Sequence, residues 1–250
     1  MLASQMNAPF PNPPPPSTRQ PVLNLPTVVA VTIAVLVAIH AWRVYWLGAD
    51  AYVQVILDYA FIPIREVQPE AFAGIAPDGA RVWTFLTYAF LHGDWVHVAI
   101  NCVWLAAFGS PLARRFGAAR FLAFSAVGAI AGAALHLAIY PSSMVPMVGA
   151  SAAISAQMAG AARFVFQTGG PLWARTVADP YRRPASPLAE IVRDRRVLAF
   201  LGVWFGINII FGLTGGAGLA EGGVAWDAHI GGFVAGLLLF RLFDPVPADR

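Results

Sequence analysis

Six apolar stretches, separated by polar or proline- and glycine-rich segments, run through most of the chain. Long uncharged apolar runs are typical of helices that cross the hydrocarbon core of a bilayer. The pattern therefore predicts an all-α membrane protein with six transmembrane helices. The predicted spans cover residues 28–47, 96–108, 121–140, 149–166, 197–213 and 224–243.

The segments outside these spans divide the chain into three parts. Residues 1–26 carry a run of prolines and predict a flexible or polyproline II tail. Residues 27–243 form the membrane domain, and 244–250 form a short tail. The connection over residues 49–91 mixes acidic with large apolar side chains, which predicts a long structured loop with short amphipathic helices at the membrane interface.

Small residues and helix breakers refine this prediction. Pairs of glycines four residues apart occur in three spans and favour a tightly packed bundle. These pairs are Gly128 and Gly132, Gly202 and Gly206, and Gly232 and Gly236. Gly109 and Pro111 are expected to interrupt the second span near its end.

Composition narrows the class of protein. With 58% hydrophobic and 12% charged residues, the chain is too apolar for an ordinary soluble domain. All 16 basic residues are scattered arginines, so there is no tract for binding nucleic acid. The single cysteine, Cys102, excludes an internal disulfide and a CxxC motif, and we interpret it as a packing residue.

The arginines also predict the topology. Six spans put both termini on one side, and only Arg43, Arg65 and Arg81 fall on the other side. By the positive-inside rule both termini are cytoplasmic.

The stretch that begins at Gly149 is the first candidate for chemistry. Pro141 and Pro146 resist helix, so a helix should begin near Gly149 with free backbone N–H groups beside the hydroxyl of Ser151. Such a helix start can bind an anion. Taken alone, however, the stretch is explained at least as well by small residues that pack between membrane helices.

A second polar residue is predicted at the same depth. Twelve residues separate Ser151 from Arg163, and twelve separate His229 from Arg241. If both arginines mark the cytoplasmic interface, both side chains start about 18 Å above it. His97 and Asn101 lie on one helix face in the middle or outer half of the second span. A serine, a histidine and nearby donors are the parts needed for acyl transfer.

Other interpretations of these residues remain open. A single histidine in a span more often makes an interhelical hydrogen bond, and we assign His136 that role because no matching donor set is evident. Asp227 lies on another helix face from His229 and is a poor candidate for a third member beside the serine and the histidine. A metal site is disfavoured because His92 and His97 lie on different faces and no HExxH motif occurs. The nucleophile elbow of an α/β-hydrolase is also disfavoured, because Gly149-x-Ser151-x-Ala153 lacks the second glycine of that motif.

Taken in order, these motifs resemble the rhomboid family of intramembrane serine proteases. The resemblance rests on His92-Gly93-Asp94-Trp95-Val96-His97 with Asn101, on Gly149-Ala150-Ser151, and on Ala228-His229-Ile230-Gly231 with Gly236. It covers about residues 28–243. It implies a rhomboid-like bundle of six transmembrane helices with a long structured loop between helices 1 and 2.

The resemblance also implies roles. Ser151 would be the nucleophile and His229 the general base and acid. His97, Asn101 and the Ser151 backbone N–H would form the oxyanion site, while His92 and Gly149 would shape the cavity.

Span five would be the substrate gate, with Trp204 and Phe205 as its aromatic residues, and the glycine-rich loop 214–223 would cap the cavity. No metal or other cofactor is implied.

By similarity the substrates would be single-span membrane proteins cut near the outer end of their helix, in the lipid bilayer of a bacterial inner membrane, with the active site open to the outer side. The sequence departs from the family in Ala152, where glycine usually follows the serine, and in Thr84, where arginine often follows Trp83. The alternative function is an inactive rhomboid-like protein that binds and escorts or retains membrane clients.

Overall fold

The computed structural model describes residues 24–172, 179–214 and 225–247. Most of the proline-rich tail, the loop beyond residue 214 and the last three residues therefore lie outside the described residues. Within them the chain is all-helical, with one isolated β-bridge between Phe61 and Met147. The helices are α1 (Thr27–Tyr45), α2 (Ala49–Tyr59), α3 (Ile64–Val67), α4 (Ala80–Thr87), α5 (Trp95–Trp104), α6 (Ser110–Phe116), α7 (Ala118–Ile139), α8 (Ser151–Ala162), α9 (Leu188–Ile191), α10 (Arg195–Thr214) and α11 (Trp226–Phe243).

Four helices among the described residues are long and apolar enough to cross a membrane. They are α1, the continuous helix Trp95–Phe116, α7 and α11. Helix α8 has only 12 residues, or about 18 Å of rise, and is buried along nearly its whole length. The chain is thus an integral membrane protein whose central helix is shorter than the bilayer core is thick.

The second span does not break where the sequence predicted. The interruption expected at Gly109 and Pro111 is wrong, because α5 continues through a π-helical turn at Leu105–Gly109 directly into α6. Proline lacks an amide N–H and its ring clashes with the carbonyl four residues earlier, and a wider i→i+5 turn relieves both problems. The helix ends instead at Gly117, whose φ of +76° suits glycine.

The connection between α1 and α5 contains short helices. These are α2, α3 and α4, together with two 3₁₀ turns. Trp83 Nε1 donates to the Asp58 carbonyl at 2.7 Å, and the buried Arg65 donates to the Leu57 carbonyl at 2.6 Å. Thr84, which follows Trp83 in α4, is buried and donates to the Ala80 carbonyl within the same helix.

Glycines bring α7, α8 and α11 into close contact. A Cβ atom added to Gly232 of α11 would lie 2.0 Å from the Ala152 carbonyl oxygen, and one added to Gly132 of α7 would lie 2.5 Å from the Ala152 Cβ. Added at Gly236 it would lie 2.4 Å from the Ala156 carbonyl oxygen. The tight packing predicted from these glycines is present, and the Ala152 methyl group fills the space that Gly132 leaves.

The glycine pair of α10 behaves differently. Neither Gly202 nor Gly206 has any atom within 4 Å of an added Cβ. The prediction that this pair marks a tight helix contact is therefore wrong. Helix α10 instead packs through Trp204, which joins the buried Met158, Ala159 and Phe233 in one cluster.

A buried ion pair closes the end of the bundle opposite Ser151. Arg115 donates from Nε and Nη2 to the two carboxylate oxygens of Asp244, each at 2.8 Å, and both side chains are almost fully buried. Its Nη1 donates to the carbonyls of Tyr181 and Arg183. This arginine thereby holds the end of α11 and the segment before α9 against α6.

Candidate active site

Ser151 is the first residue of α8, and the chain before it is held in place. The bridge between Met147 and Phe61 fixes the approach, and the Gly149 N–H donates to the Tyr88 carbonyl at 3.0 Å. Gly149 has a φ of +124°, a conformation that L side chains rarely adopt. A Cβ there would also lie 2.7 Å from His97 Nε2. Glycine at 149 is thus what lets the His97 ring rest against the backbone just before the serine.

Ser151 and His229 are within hydrogen-bonding distance. Ser151 Oγ lies 2.8 Å from His229 Nε2, across the contact between α8 and α11. Gly232 and Gly236 follow His229 on α11 and permit the close approach of these helices. The arrangement lets the imidazole accept the hydroxyl proton, which is the activation step of a serine nucleophile.

The second ring nitrogen of His229 also has a partner. Its Nδ1 faces Oδ1 of Asn208 on α10, and Asn208 Nδ2 donates to the Trp204 carbonyl at 2.8 Å. Asn208 is 6% exposed. Sequence reasoning missed this residue, although a lone amide in an apolar span is the signal that could have identified it.

His97 and Asn101 line one face of α5, and Asp94 orients the start of that helix. The Asp94 carboxylate caps α5 by accepting from the His97 backbone N–H at 2.7 Å. Asn101 is buried, and its Nδ2 donates to the His97 carbonyl at 2.9 Å. That bond uses one amide hydrogen and leaves the second for another acceptor. His97 and Asn101 thus lie one turn apart on the same face of α5, and the His97 ring meets Gly149.

His92 lies behind His97. The two ring centroids are 4.9 Å apart, and the His92 ring is fully buried. Among the described residues its ring nitrogens have no hydrogen-bond partner, while its carbonyl accepts from Arg43 Nη1 at 3.0 Å. His92 thus extends the polar region from α5 towards α1.

His136 and Asp227 form a separate pair. His136 Nδ1 lies 2.7 Å from Asp227 Oδ2, and the carboxylate is nearly inaccessible to solvent. The interhelical hydrogen bond that the sequence predicted for His136 is therefore present, and its partner is Asp227. Asp227 is turned to α7 rather than to His229, in keeping with the prediction from its helix face.

The two aromatic residues assigned to a gate lie between α10 and α11. Trp204 stacks on Phe233 with ring centroids 5.1 Å apart, and Phe205 contacts Phe233 edge-on at 5.6 Å. Both belong to the apolar cluster that joins α10 to α8 and to the helix that carries His229.

Comparison with known proteins gives a family. A family model of the rhomboid domain matches residues 79–244. Rhomboid protease GlpG of Yersinia pestis (strain Pestoides F) is 24% identical over 161 residues, which are 64% of this chain and 47% of the relative. Rhomboid protease GlpG of Yersinia pseudotuberculosis serotype O:3 (strain YPIII) matches to the same extent. The chain spans about half the length of these curated relatives. On the extent of the domain match, this chain belongs to the rhomboid family.

Proposed function

We propose that this protein is an intramembrane serine endopeptidase. The observation that carries the proposal is the 2.8 Å distance between Ser151 Oγ and His229 Nε2 inside a bundle of membrane helices. Family membership and the similarity to proteins named rhomboid protease support it. By that similarity the substrates are single-span membrane proteins, cut near the outer end of their helix.

The chemistry follows from the positions of the side chains. His229 Nε2 takes the proton of Ser151 as Oγ attacks the scissile carbonyl carbon, and the protonated ring then gives that proton to the leaving amine. The oxyanion would form beside the Ser151 backbone N–H, which has no helical acceptor in the first turn of α8. His97 and Asn101 would supply the further donors, and His92 and Gly149 would shape the cavity.

We also propose the topology that this chemistry needs. Helices α8 and α10 would complete a bundle of six spans over residues 27–243, with both termini in the cytoplasm of a bacterium. Ser151 and His229 lie in the first turns of α8 and α11, whereas Arg163 directly follows α8 and Arg241 lies in the last turn of α11, which supports an equal depth for the two side chains. The active site would then open to the outer side of the inner membrane, with α10, Trp204 and Phe205 as the gate.

Cleavage of a single-span substrate in proteoliposomes tests the proposal. Wild type should cut the substrate and react at Ser151 with a fluorophosphonate, while Ser151→Ala and His229→Ala should do neither. Ser142→Ala removes an exposed hydroxyl in the loop before α8 and is the matched control. A wild-type protein that neither cuts nor reacts, or a Ser151→Ala variant that still cuts, would refute the protease and favour the inactive client-binding function.

The oxyanion assignment has its own test. Asn101→Ala should lower kcat by about ten- to a thousandfold, because loss of one oxyanion donor costs up to about a thousandfold. Val103→Ala, on the lipid-exposed side of the same helix, is the control and should leave kcat unchanged. An unchanged kcat in Asn101→Ala would remove Asn101 from that role.

A further inference from the structure

The hydrogen bonds of Asn208 determine which tautomer His229 adopts. Asn208 Nδ2 donates to the Trp204 carbonyl, an acceptor only, so the amide must present its oxygen to His229. An amide oxygen can only accept, and His229 Nδ1 therefore carries the proton. The other nitrogen, Nε2, is then unprotonated and faces the Ser151 hydroxyl at 2.8 Å.

This tautomer is the one that general-base catalysis needs. With the proton on Nε2 instead, the ring would direct an N–H at the serine and could not accept its proton. Once Nε2 is protonated, the Nδ1–H bond to the amide oxygen also stabilises the imidazolium. A neutral amide does this without placing a second charge in the membrane interior, where an unpaired carboxylate is costly.

We propose that Asn208 is a positioning residue that orients His229 and fixes its tautomer, so that the site operates as a Ser151–His229–Asn208 triad. The inference rests on the proposed function, because it assigns a role towards the same nucleophile. No carboxylate among the described residues competes for the position: Asp227, the acid nearest in sequence, is bound to His136 on α7.

The position of Asn208 makes this orientation conditional. Asn208 belongs to α10, whose Gly202 and Gly206 meet no neighbouring atoms and whose Trp204 is buried against α8 and α11. The carbonyl that orients the Asn208 amide is that of Trp204. A displacement of α10 would therefore remove the amide oxygen from His229, and the base is fully oriented only while α10 is seated on α11.

Two nearly isosteric substitutions separate orientation from packing. Asn208→Leu keeps the volume and removes the acceptor, whereas Asn208→Asp, as the neutral acid favoured in this apolar site, keeps an acceptor oxygen for His229 and a donor for the Trp204 carbonyl. Ile209→Ala, the next residue and 55% exposed, is the control on the same helix. Each variant is compared for kcat and KM on a single-span substrate, for the rate of fluorophosphonate labelling of Ser151, and for its thermal midpoint.

We expect Asn208→Leu to lower kcat and the labelling rate together by about ten- to a hundredfold, part of the contribution of a general base, with KM changed less than about twofold. Asn208→Asp should recover most of the loss, and Ile209→Ala should match wild type. The labelling reagent is small and does not need the gate, so it reports on the base itself.

The other possible results contradict either the proposed function or the role of Asn208. If wild type neither cuts nor reacts, the proposed function fails. If wild type reacts and Asn208→Leu reacts at the same rate, the protease stands and the role of Asn208 is wrong. If Asn208→Leu and Asn208→Asp are equally slow and equally destabilised, Asn208 is a packing residue and the inference is also overturned.

Discussion

Substitution of Gly232 by alanine should separate α11 from α8. The added Cβ would lie 2.0 Å from the carbonyl oxygen of Ala152 and 2.8 Å from its carbonyl carbon. Both are backbone atoms, which cannot rotate aside as a flexible side chain could. The helices must therefore move apart, and His229, one turn earlier on the same face of α11, would move with them.

The magnitude follows from this contact. Overpacking in a well-packed core costs about 1–3 kcal/mol, and a clash with backbone belongs at the upper end or beyond. At about 2–4 °C per kcal/mol for a chain of this size, Gly232→Ala should lower the thermal midpoint by roughly 6–12 °C. The labelling rate of Ser151 should fall as well, because the hydrogen bond to His229 lengthens.

A graded series of glycines provides the controls. At Gly160 an added Cβ would meet only side-chain atoms, the nearest at 3.2 Å, and at Gly206 it would meet nothing within 4 Å. Gly160→Ala should have an intermediate effect, while Gly206→Ala should stabilise by about 0.5–1 kcal/mol because alanine favours helix. Thermal midpoints in detergent, measured in parallel, test this order. A Gly232→Ala protein as stable as Gly206→Ala would refute the close packing of α8 and α11.

Three further predictions concern the stability of the folded protein. Asp244→Asn removes the counter-charge of the buried Arg115 and should cost about 3–5 kcal/mol in chemical unfolding; no loss would show that the pair is not formed. Tyr88→Phe removes the bond of Tyr88 to the Ala129 carbonyl and should cost about 1 kcal/mol in the same assay, unless another donor replaces it. Burial raises the pKa of the Glu66 carboxyl, so the folded protein favours the neutral acid. The stability of the folded state is therefore higher at low pH and falls as the pH rises through that raised pKa. Glu66→Gln should therefore raise the thermal midpoint at neutral pH and not below about pH 4, and an equal effect at both would contradict this.

The shared level of Ser151 and His229 in the bundle could be predicted from sequence because it depends only on counting along a helix. Ser151 and His229 lie equally far from Arg163 and Arg241, and the structure brings the two side chains together at 2.8 Å. Their chemical roles remain a prediction. The count works because a helix has a fixed rise per residue, whatever it packs against.

Interhelical partners could not be predicted in the same way. A glycine pair has the same appearance in sequence whether it faces a helix or lipid, since both surroundings are apolar. Gly232 and Gly236 meet the backbone of α8, whereas Gly202 and Gly206 meet nothing. Asn208 was missed because its partner, His229, lies on another helix, 21 residues further along the chain.

The first turn of α11 shows why those partners matter. Asp227 and His229 are two residues apart, so their side chains project about 200° apart around the helix. Asp227 binds His136 on α7, the helix that glycines hold tightly against α11, and His229 binds Asn208 on the loosely packed α10. The backbone beneath His229 is therefore held by the tight contact of α11 with α7, while its ring is oriented by Asn208 of α10. Substitutions on the α7 side should then change stability and rate together, whereas those at Asn208 should change the rate alone.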